Sequence, residues 1–355
     1  MTIRVFEAFS GYGSQSIALR NINVPHEVVA ISEINKYAIT AYRAIHDESD
    51  VVNLGDISLI NVEDVPDHDL FTYSFPCQDL SIAGKQAGLE GARSGLLYEC
   101  KKIIEHCRPK YLLLENVKNL VSKKFKPKFD EWLEYLESLG YTNYWKVLNA
   151  KDYGIPQNRE RVFVVSILGE HTPYEFPDPI PLDLCIADML EHEVESKYYM
   201  NKPFHLVNKG HQAELDMKGH DSMKRVYATD RIAPTLTTMG GGNTEPKILE
   251  RKEMIIDDTQ GFDGVRYYEN YSPTLRAGRS GLKTVEYDDT DPNSFRVRKL
   301  TPRECFRLMG VSDEDIDKIQ ATGLSNSQQY RMAGNSIVVN VLEAIFRNLF
   351  EEEIL

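Results

Sequence analysis

Three short stretches carry side chains that can do chemistry together. In "SFPCQDLS" (74–81), Cys77 follows a proline and the apolar, aromatic segment Leu70–Tyr73. A thiol there can fill a core edge, exchange electrons, bind metal or act as a nucleophile. The chain has 5 cysteines, Cys77, Cys100, Cys107, Cys185 and Cys305, irregularly spaced and without a C-x-x-C pair. An odd number at such spacing argues against a disulfide framework or a zinc site, and no metal is expected. Cys100 and Cys107 fall in a helix-like stretch and read as buried hydrophobes. In "LLLENV" (112–117), Glu115 and Asn116 end an unbroken apolar run, and an apolar setting raises a carboxyl pKa until it can share a proton with a substrate. In "QNRER" (157–161), Arg159 and Arg161 alternate just before a valine-rich strand, which puts both on one face and in need of polar partners.

A second group of residues suits a nucleoside. "FEAFSGYGSQSIAL" (6–19) reads as strand, glycine turn and helix, with Gly11 and Gly13 letting backbone pass close to a ligand. A dinucleotide fingerprint wants a third glycine where Ser16 stands, so a nucleoside without a pyrophosphate fits better. Glu33 in "AISEIN" can accept from ribose hydroxyls, and Asp56 in "LGDIS" from an adenine amino group. Either acid alone reads as a helix cap or a solvated charge; both at successive strand ends after a glycine turn make a stronger set.

The elements that must hold these groups alternate. Strands are expected at Ile3–Phe9, Glu27–Ile31, Leu70–Ser74, Tyr111–Leu114 and Arg161–Leu168, with a short extended run at Val51–Leu54. Helical spacing covers Ser14–Arg20, the stretch through Tyr37 and Tyr42, Leu96–Cys107 and Phe129–Leu139. Repeated β-α units imply an α/β fold with an open, mostly parallel, Rossmann-like sheet and helices on both faces. Ligands of such sheets bind at the carboxyl ends of the strands, where all the residues above collect.

The pattern stops near Thr172, where Pro173, Pro177, Pro179 and Pro181 mark a boundary. The expected organisation is a catalytic and cofactor-binding domain at 1–172, a smaller, irregular β-rich domain at 173–297, and a return segment at 298–355. Within the smaller domain "APTLTTMGGG" (233–242) and "SPTLRAGRSG" (272–281) echo one another, either as a pair of similar hairpins or as substrate-reading loops. A helix start with proline at its first position is expected at Thr301–Glu304, and an amphipathic helix at Ser336–Phe350.

With these motifs in order, the chain resembles the DNA cytosine carbon-5 methyltransferases that depend on S-adenosylmethionine. The likeness runs through "FSGYGS", "SEIN", "GDIS", "SFPCQDLS", "LLLENV", "QNRER", "RKLTPRECFRLMG" (298–310) and "GNSI" (334–337). Departures are small: Ser14 and Glu7 stand where the family usually has glycine and aspartate. The resemblance implies Cys77 as nucleophile, Glu115 as partner of the cytosine ring, and Arg159 and Arg161 as supports around base and thiol. It implies Phe9, Gly11, Gly13, Ser14, Glu33, Ile34, Asp56, Ile57, Pro76 and Asn335 around S-adenosylmethionine. The glycine-rich stretch 81–95 suits a closing loop, with Ser81, Lys85 and Arg93 toward DNA; its plainer reading is an ordinary surface loop. The β-rich segment then becomes a target-recognition domain, with Thr235, Leu236, Thr274 and Leu275 as candidates for contacting DNA.

Bulk properties limit the alternatives. The chain of 355 residues has a net charge of −13, which by itself argues against a nucleic-acid partner. Residues 196–310, however, carry 19 Lys and Arg against 16 Asp and Glu, so the acidity lies elsewhere. No apolar run approaches a membrane span, and the first residues read as strand rather than signal peptide; a cytoplasmic monomer is expected. The implied partner is double-stranded DNA, with a cognate restriction endonuclease, where one exists, acting separately. Rival readings are a tRNA methyltransferase of the same family, a non-catalytic DNA-binding module and, more distantly, a nicotinamide oxidoreductase.

Overall fold

The structure, a computed structural model, describes residues 2–47, 51–75, 95–207, 212–240, 243–251, 254–257, 266–269, 282–284 and 295–351, the three short pieces between 254 and 284 as backbone only. Its centre is a 6-stranded sheet. The strands are β1 (Ile3–Ala8), β2 (His26–Ser32), β3 (Leu70–Tyr73), β4 (Tyr111–Val117), β5 (Tyr141–Asn149) and β6 (Glu160–Leu168), in spatial order β2-β1-β3-β4-β6-β5. The pairs β1–β2, β1–β3 and β3–β4 are parallel, whereas β6 runs antiparallel to both β4 and β5. Hence β6 alone is reversed. Its first residues lie at the edge where the other strands have their last, so a motif preceding β6 meets motifs that follow β1, β3 and β4.

Helices α1 (Ser14–Asn21), α2 (Lys36–His46), α3 (Leu96–Cys107) and α4 (Lys126–Ser138) connect these strands. Side chains alternate along a strand. Phe6 and Ala8 of β1 join Phe71 and Tyr73 of β3, Leu112 and Leu114 of β4, and apolar residues of α3 and α4 in one buried cluster. Glu7 points the other way and accepts a hydrogen bond from Ser16 Oγ of α1 at 2.7 Å, so helices cover both faces. That bond also uses the polar side chain at the position where a dinucleotide fingerprint has glycine. Cys100 is buried on α3, and burial pushes the thiol of half-buried Cys107 up to about 11; neither is poised to react.

Two segments differ from expectation. Val51–Leu54 is no full strand; it contributes one bridge, Asn53 to Ile31. The edge strand β5, "YTNYWKVLN", carries mixed polar and aromatic residues and lacks the apolar alternation that would have revealed it.

The chain divides into two compact units, 1–184 with 234–240 and 302–355, and 185–233 with 241–301. The second unit thus begins at Cys185 rather than at Pro173. Residues 173–184 stay with the large sheet's unit because Tyr153 donates to the Pro177 carbonyl at 3.0 Å and the Ile180 amide to the Asp152 carbonyl at 2.9 Å. The second unit contains β7 (Phe204–Leu206), β8 (Ala213–Leu215), the short helix α5 (Asp221–Lys224), β9 (Arg225–Ala228), β10 (Lys247–Arg251), β11 (Met254–Asp257), β12 (Arg266–Glu269), β13 (Leu282–Thr284) and β14 (Phe295–Lys299). They form a 5-stranded sheet, β14-β10-β9-β8-β7, around Ala213, Leu215, Val226, Leu249, Phe295 and Val297, and a 3-stranded sheet, β12-β11-β13. The first unit is completed by α6 (Pro302–Arg307), α7 (Asp313–Ala321), α8 (Asn326–Asn335) and α9 (Val339–Leu349). Among the described residues no helix is long and apolar enough to cross a membrane.

Candidate functional site

The turn after β1 is built from backbone geometry. Phe9 has φ 57°, an uncommon conformation for a residue with a side chain, and its amide bonds the Ser32 carbonyl of β2 at 2.8 Å. Gly11 and Gly13 have φ 59° and 82°, and Gly13 caps α1. A Cβ at Gly13 would lie 2.3 Å from His46 Nε2 and 2.7 Å from Tyr42 Cε2, so glycine is required twice over, by φ and by space. Burial pushes His46 down to about 4; its neutral ring bonds the Tyr12 carbonyl through Nε2 at 3.2 Å and braces the turn from below. At Gly11, by contrast, a Cβ would meet nothing within 4 Å among the described residues, which leave this side of the turn open.

Glu33 borders that space. Its Oε2 accepts from the Gly11 amide at 3.0 Å, and its Oε1 from the Ile34 and Asn35 amides at 2.9 and 2.8 Å. Oε1 thus uses both its lone-pair directions, whereas Oε2 keeps one for another donor. Ile34, next in the chain, is 72% exposed, an apolar side chain held beside a polar turn. Asp56 uses Oδ1 to cap the turn Ile57–Leu59, accepting from the Ser58 amide at 2.9 Å and the Ser58 hydroxyl at 2.7 Å, while Ile57 is buried beneath it. One residue that the sequence reading passed over ties these loops together. Asn53 accepts from the Glu33 and Gly55 amides at 3.1 and 3.0 Å and donates to the Glu33 carbonyl at 3.0 Å. Its signal was available: an asparagine two residues before the glycine of a glycine–aspartate turn.

Farther along the same edge lies a buried charge pair. Glu115 of β4 pairs with Phe163 of β6, so Arg161, two residues earlier on the reversed strand, shares its face. Arg161 Nε stands 3.1 Å from Glu115 Oε1, with little exposure of either side chain. Burial raises the Glu115 carboxyl above its ordinary pKa; Arg161, Arg159 and a hydrogen bond with Ser74 oppose that shift without cancelling it. Asn116 donates to the Phe75 carbonyl at 3.1 Å and thereby pins the chain where it leaves β3 toward residue 77.

Arg159 does different work from Arg161. Its guanidinium donates to the Leu236 carbonyl at 2.9 Å and to those of Gly334 and Ser336 at 3.0 and 2.7 Å. Buried Gln157 accepts from the Leu236 amide at 3.2 Å and donates to the Leu308 carbonyl at 2.7 Å. The segment 234–240 is therefore clasped to the sheet edge. A Cβ on Gly334 would approach the Thr237 carbonyl oxygen to 1.8 Å, so only glycine allows that contact. Leu236 is buried and Thr235 donates to the Asn158 carbonyl at 2.5 Å; the exposed side chains of this loop are those of Thr235, Thr237 and Thr238. Asn335 is exposed at the end of α8, and Ser14 is buried at the start of α1. Pro76, Cys77, Ser81, Lys85, Arg93, Thr274 and Leu275 lie outside the described residues. Among the described residues no cluster of His, Cys, Asp or Glu could hold a metal ion.

A family model described as C-5 cytosine-specific DNA methylase matches residues 3–351. The chain is 37% identical to the type II methyltransferase M2.ScrFI of Lactococcus lactis subsp. cremoris, covering 99% of this chain and 100% of that protein. It is 34% identical to the orphan methyltransferase M.SPBetaI of Bacillus phage SPbeta, covering 98% and 97%. It is 32% identical to the type II methyltransferase M.HhaI of Haemophilus parahaemolyticus, covering 98% and 94%. Among solved structures, an Entamoeba histolytica methyltransferase, EhMeth, shares the fold with a TM-score of 0.72 at 18% identity, over 99% of each chain.

Proposed function

Because the chain belongs to the C-5 cytosine-specific DNA methylase family, we propose that it methylates carbon 5 of a cytosine flipped out of duplex DNA, using S-adenosylmethionine and a transient covalent bond from Cys77. The observation that carries the reading is the buried Glu115–Arg161 pair on the same sheet edge as the open Gly11–Glu33 turn. An acid whose pKa burial raises and a nucleoside cradle are the two halves that this reaction needs.

The cradle fits the cofactor. The space at Gly11 admits a ligand, Glu33 Oε2 keeps acceptor capacity for a ribose hydroxyl, exposed Ile34 offers an apolar face to adenine, and Asp56 Oδ2 can accept from its amino group. Phe9, Gly13, Ser14, Ile57, Pro76 and Asn335 complete the proposed contacts. S-adenosylmethionine supplies, when bound there, an electrophilic methyl group for carbon 5.

The chain's own residues make that carbon nucleophilic. The Cys77 thiolate adds to carbon 6, and the ring's electron pair moves toward carbon 5. Glu115, kept protonated to higher pH than an ordinary carboxyl, donates to ring nitrogen 3 and lowers the barrier to addition. Arg161 holds Glu115 in place and, with Arg159 behind it, favours anionic sulfur nearby. After methylation carbon 5 gives its proton to solvent, the electrons of that bond re-form the 5,6 double bond and expel the Cys77 thiolate, and nitrogen 3 returns its proton to Glu115, restoring the aromatic ring. A stacked base is out of reach of such a site, so extrusion at about a few kcal/mol precedes chemistry. Ser81, Lys85 and Arg93 are proposed to follow the duplex, and the 185–301 region with Thr235, Leu236, Thr274 and Leu275 to recognise its sequence. For Leu236 this role falls to the backbone, since its side chain is buried. A cytoplasmic monomer, with any cognate endonuclease a separate protein, completes the proposal.

Transfer of labelled methyl groups to duplex DNA and to tRNA, assayed side by side, tests the reading. Labelled 5-methylcytosine in DNA is expected; labelling confined to tRNA overturns the choice of substrate. Cys77→Ser should abolish turnover and leave cofactor binding in place, and DNA carrying 5-fluorocytosine should trap a covalent adduct. Unimpaired turnover by Cys77→Ser sinks the nucleophile assignment.

A further inference from the structure

The stretch that follows Glu115 has a composition unlike the rest of this acidic chain. Residues 118–128, "KNLVSKKFKPK", contain 5 lysines and no acidic residue, in a protein of net charge −13. They begin at the sheet edge that holds Glu115, and the turn that carries them is firmly anchored. Leu120 and Phe125 are buried in the main core, and the Lys126 amide bonds the Ser122 carbonyl at 2.8 Å. Lys118 bridges to Glu160 at 2.8 Å, beside Arg161, which ties the turn to the reversed strand. Lys126 pairs with Asp130, and Lys128 with Glu131 at 3.0 Å. Lys123 and Lys124 are exposed too, Lys124 with its Nζ 4.9 Å from the centroid of the Phe125 ring.

From this juxtaposition we propose that the turn bearing Lys123 and Lys124 is a docking platform for the phosphate backbone of duplex DNA beside the flipped cytosine. The inference rests on the function proposed above and adds a surface to it. An anchored turn with two neighbouring exposed lysines matches a polyanion whose charges repeat along a strand, and each lysine meeting a phosphate releases condensed counterions. Core anchoring matters because an ordered platform loses little further entropy on docking.

The double variant Lys123→Gln/Lys124→Gln, in the full chain, tests this beside wild type. Binding to a fixed duplex is measured by fluorescence anisotropy from about 50 to 200 mM salt, and methyl transfer by label incorporation. The slope of log Kd against log salt should flatten by about 1 for each lysine removed. KM for DNA should rise several-fold, whereas S-adenosylmethionine affinity, titrated without DNA, holds. An unchanged slope and KM overturns the platform; so does an equal loss of cofactor affinity, which signals damaged folding. A wild-type enzyme that labels no duplex sinks the functional reading instead, and anisotropy still reports on the platform independently. A slope that flattens on tRNA but not on duplex DNA overturns the assignment to DNA.

Discussion

The two ends of one sheet edge are built by opposite means. Around β1 and β2, Gly11, Gly13, Glu33, Asn53 and Asp56 make a cradle from turn geometry and amide-to-side-chain bonds between residues close in sequence or on adjacent loops. Around β4 and β6, a buried carboxyl meets an arginine, and Gln157 and Arg159 draw in carbonyls from residues 236, 308, 334 and 336. The first end is open and locally specified. The second is desolvated and assembled from distant segments. The contrast teaches that a ligand cradle can tolerate graded change, whereas a buried charge cluster fails as a whole once one partner is lost.

The sharpest way to break the comparison lies at the second end. Glu115→Gln should lower kcat by about 100- to 10,000-fold, the usual worth of a positioned proton donor, with little change in cofactor affinity. The pH profile refines this. Burial raises the Glu115 pKa, so the protonated form persists above the ordinary carboxyl range, and activity should fall as pH rises through that raised value. Any residual activity of Glu115→Gln should lack that alkaline limb. A limb that survives in the variant assigns the titration to another group.

The first end should respond more gently. Gly13→Ala forces a methyl group into His46 and Tyr42 at a positive φ, and should weaken S-adenosylmethionine binding by about tenfold or more while destabilising the fold by about 1–3 kcal/mol. Isothermal titration and thermal melting read both. Glu33→Gln, which keeps the shape but removes the charge, should raise the cofactor Kd by about tenfold, and its loss should fall on cofactor KM rather than kcat. A kcat loss as large as that of Glu115→Gln would erase the distinction between the two ends.

The smallest effect is expected away from both. Arg307 and Arg303 hold Asp313 below the usual carboxylate range at the junction of α6 and α7. This contribution is complete above the ordinary aspartate pKa and fades as pH drops through the lowered value. Asp313→Asn should cost under about 1 kcal/mol at neutral pH, because the side chain is largely exposed, and the difference should vanish in acid.

Local signals made the first end legible. The glycine turn and the acids after β2 and near residue 56 stand where the alternating pattern puts them, as does, at the second end, the apolar run ending in Glu115. The reversal of β6 was not legible, because a strand's direction depends on pairing rather than on composition. Nor was the division of labour within "QNRER": alternation placed Arg159 and Arg161 on one face, but only distant partners send one to Glu115 and the other to three carbonyls. Likewise, nothing near "APTLTTMGGG" announces that its first part belongs with the large sheet's unit; that follows from Gln157 and Arg159, some 77 residues earlier. The edge strand β5 escaped notice because its exposed face admits polar residues freely.

The return of 302–355 to the first unit has a consequence for synthesis. Asn21 of α1 bonds Glu343 of α9 at 2.7 Å, Tyr12 bonds Ser336 at 2.7 Å, and Arg20 pairs with Asp315. On the ribosome, residues 1–184 therefore emerge without the helices that close over α1, and wait while more than a hundred intervening residues are translated. A nascent chain arrested before residue 302 should remain sensitive to protease at α1, and resistance should appear only once α9 has cleared the exit tunnel.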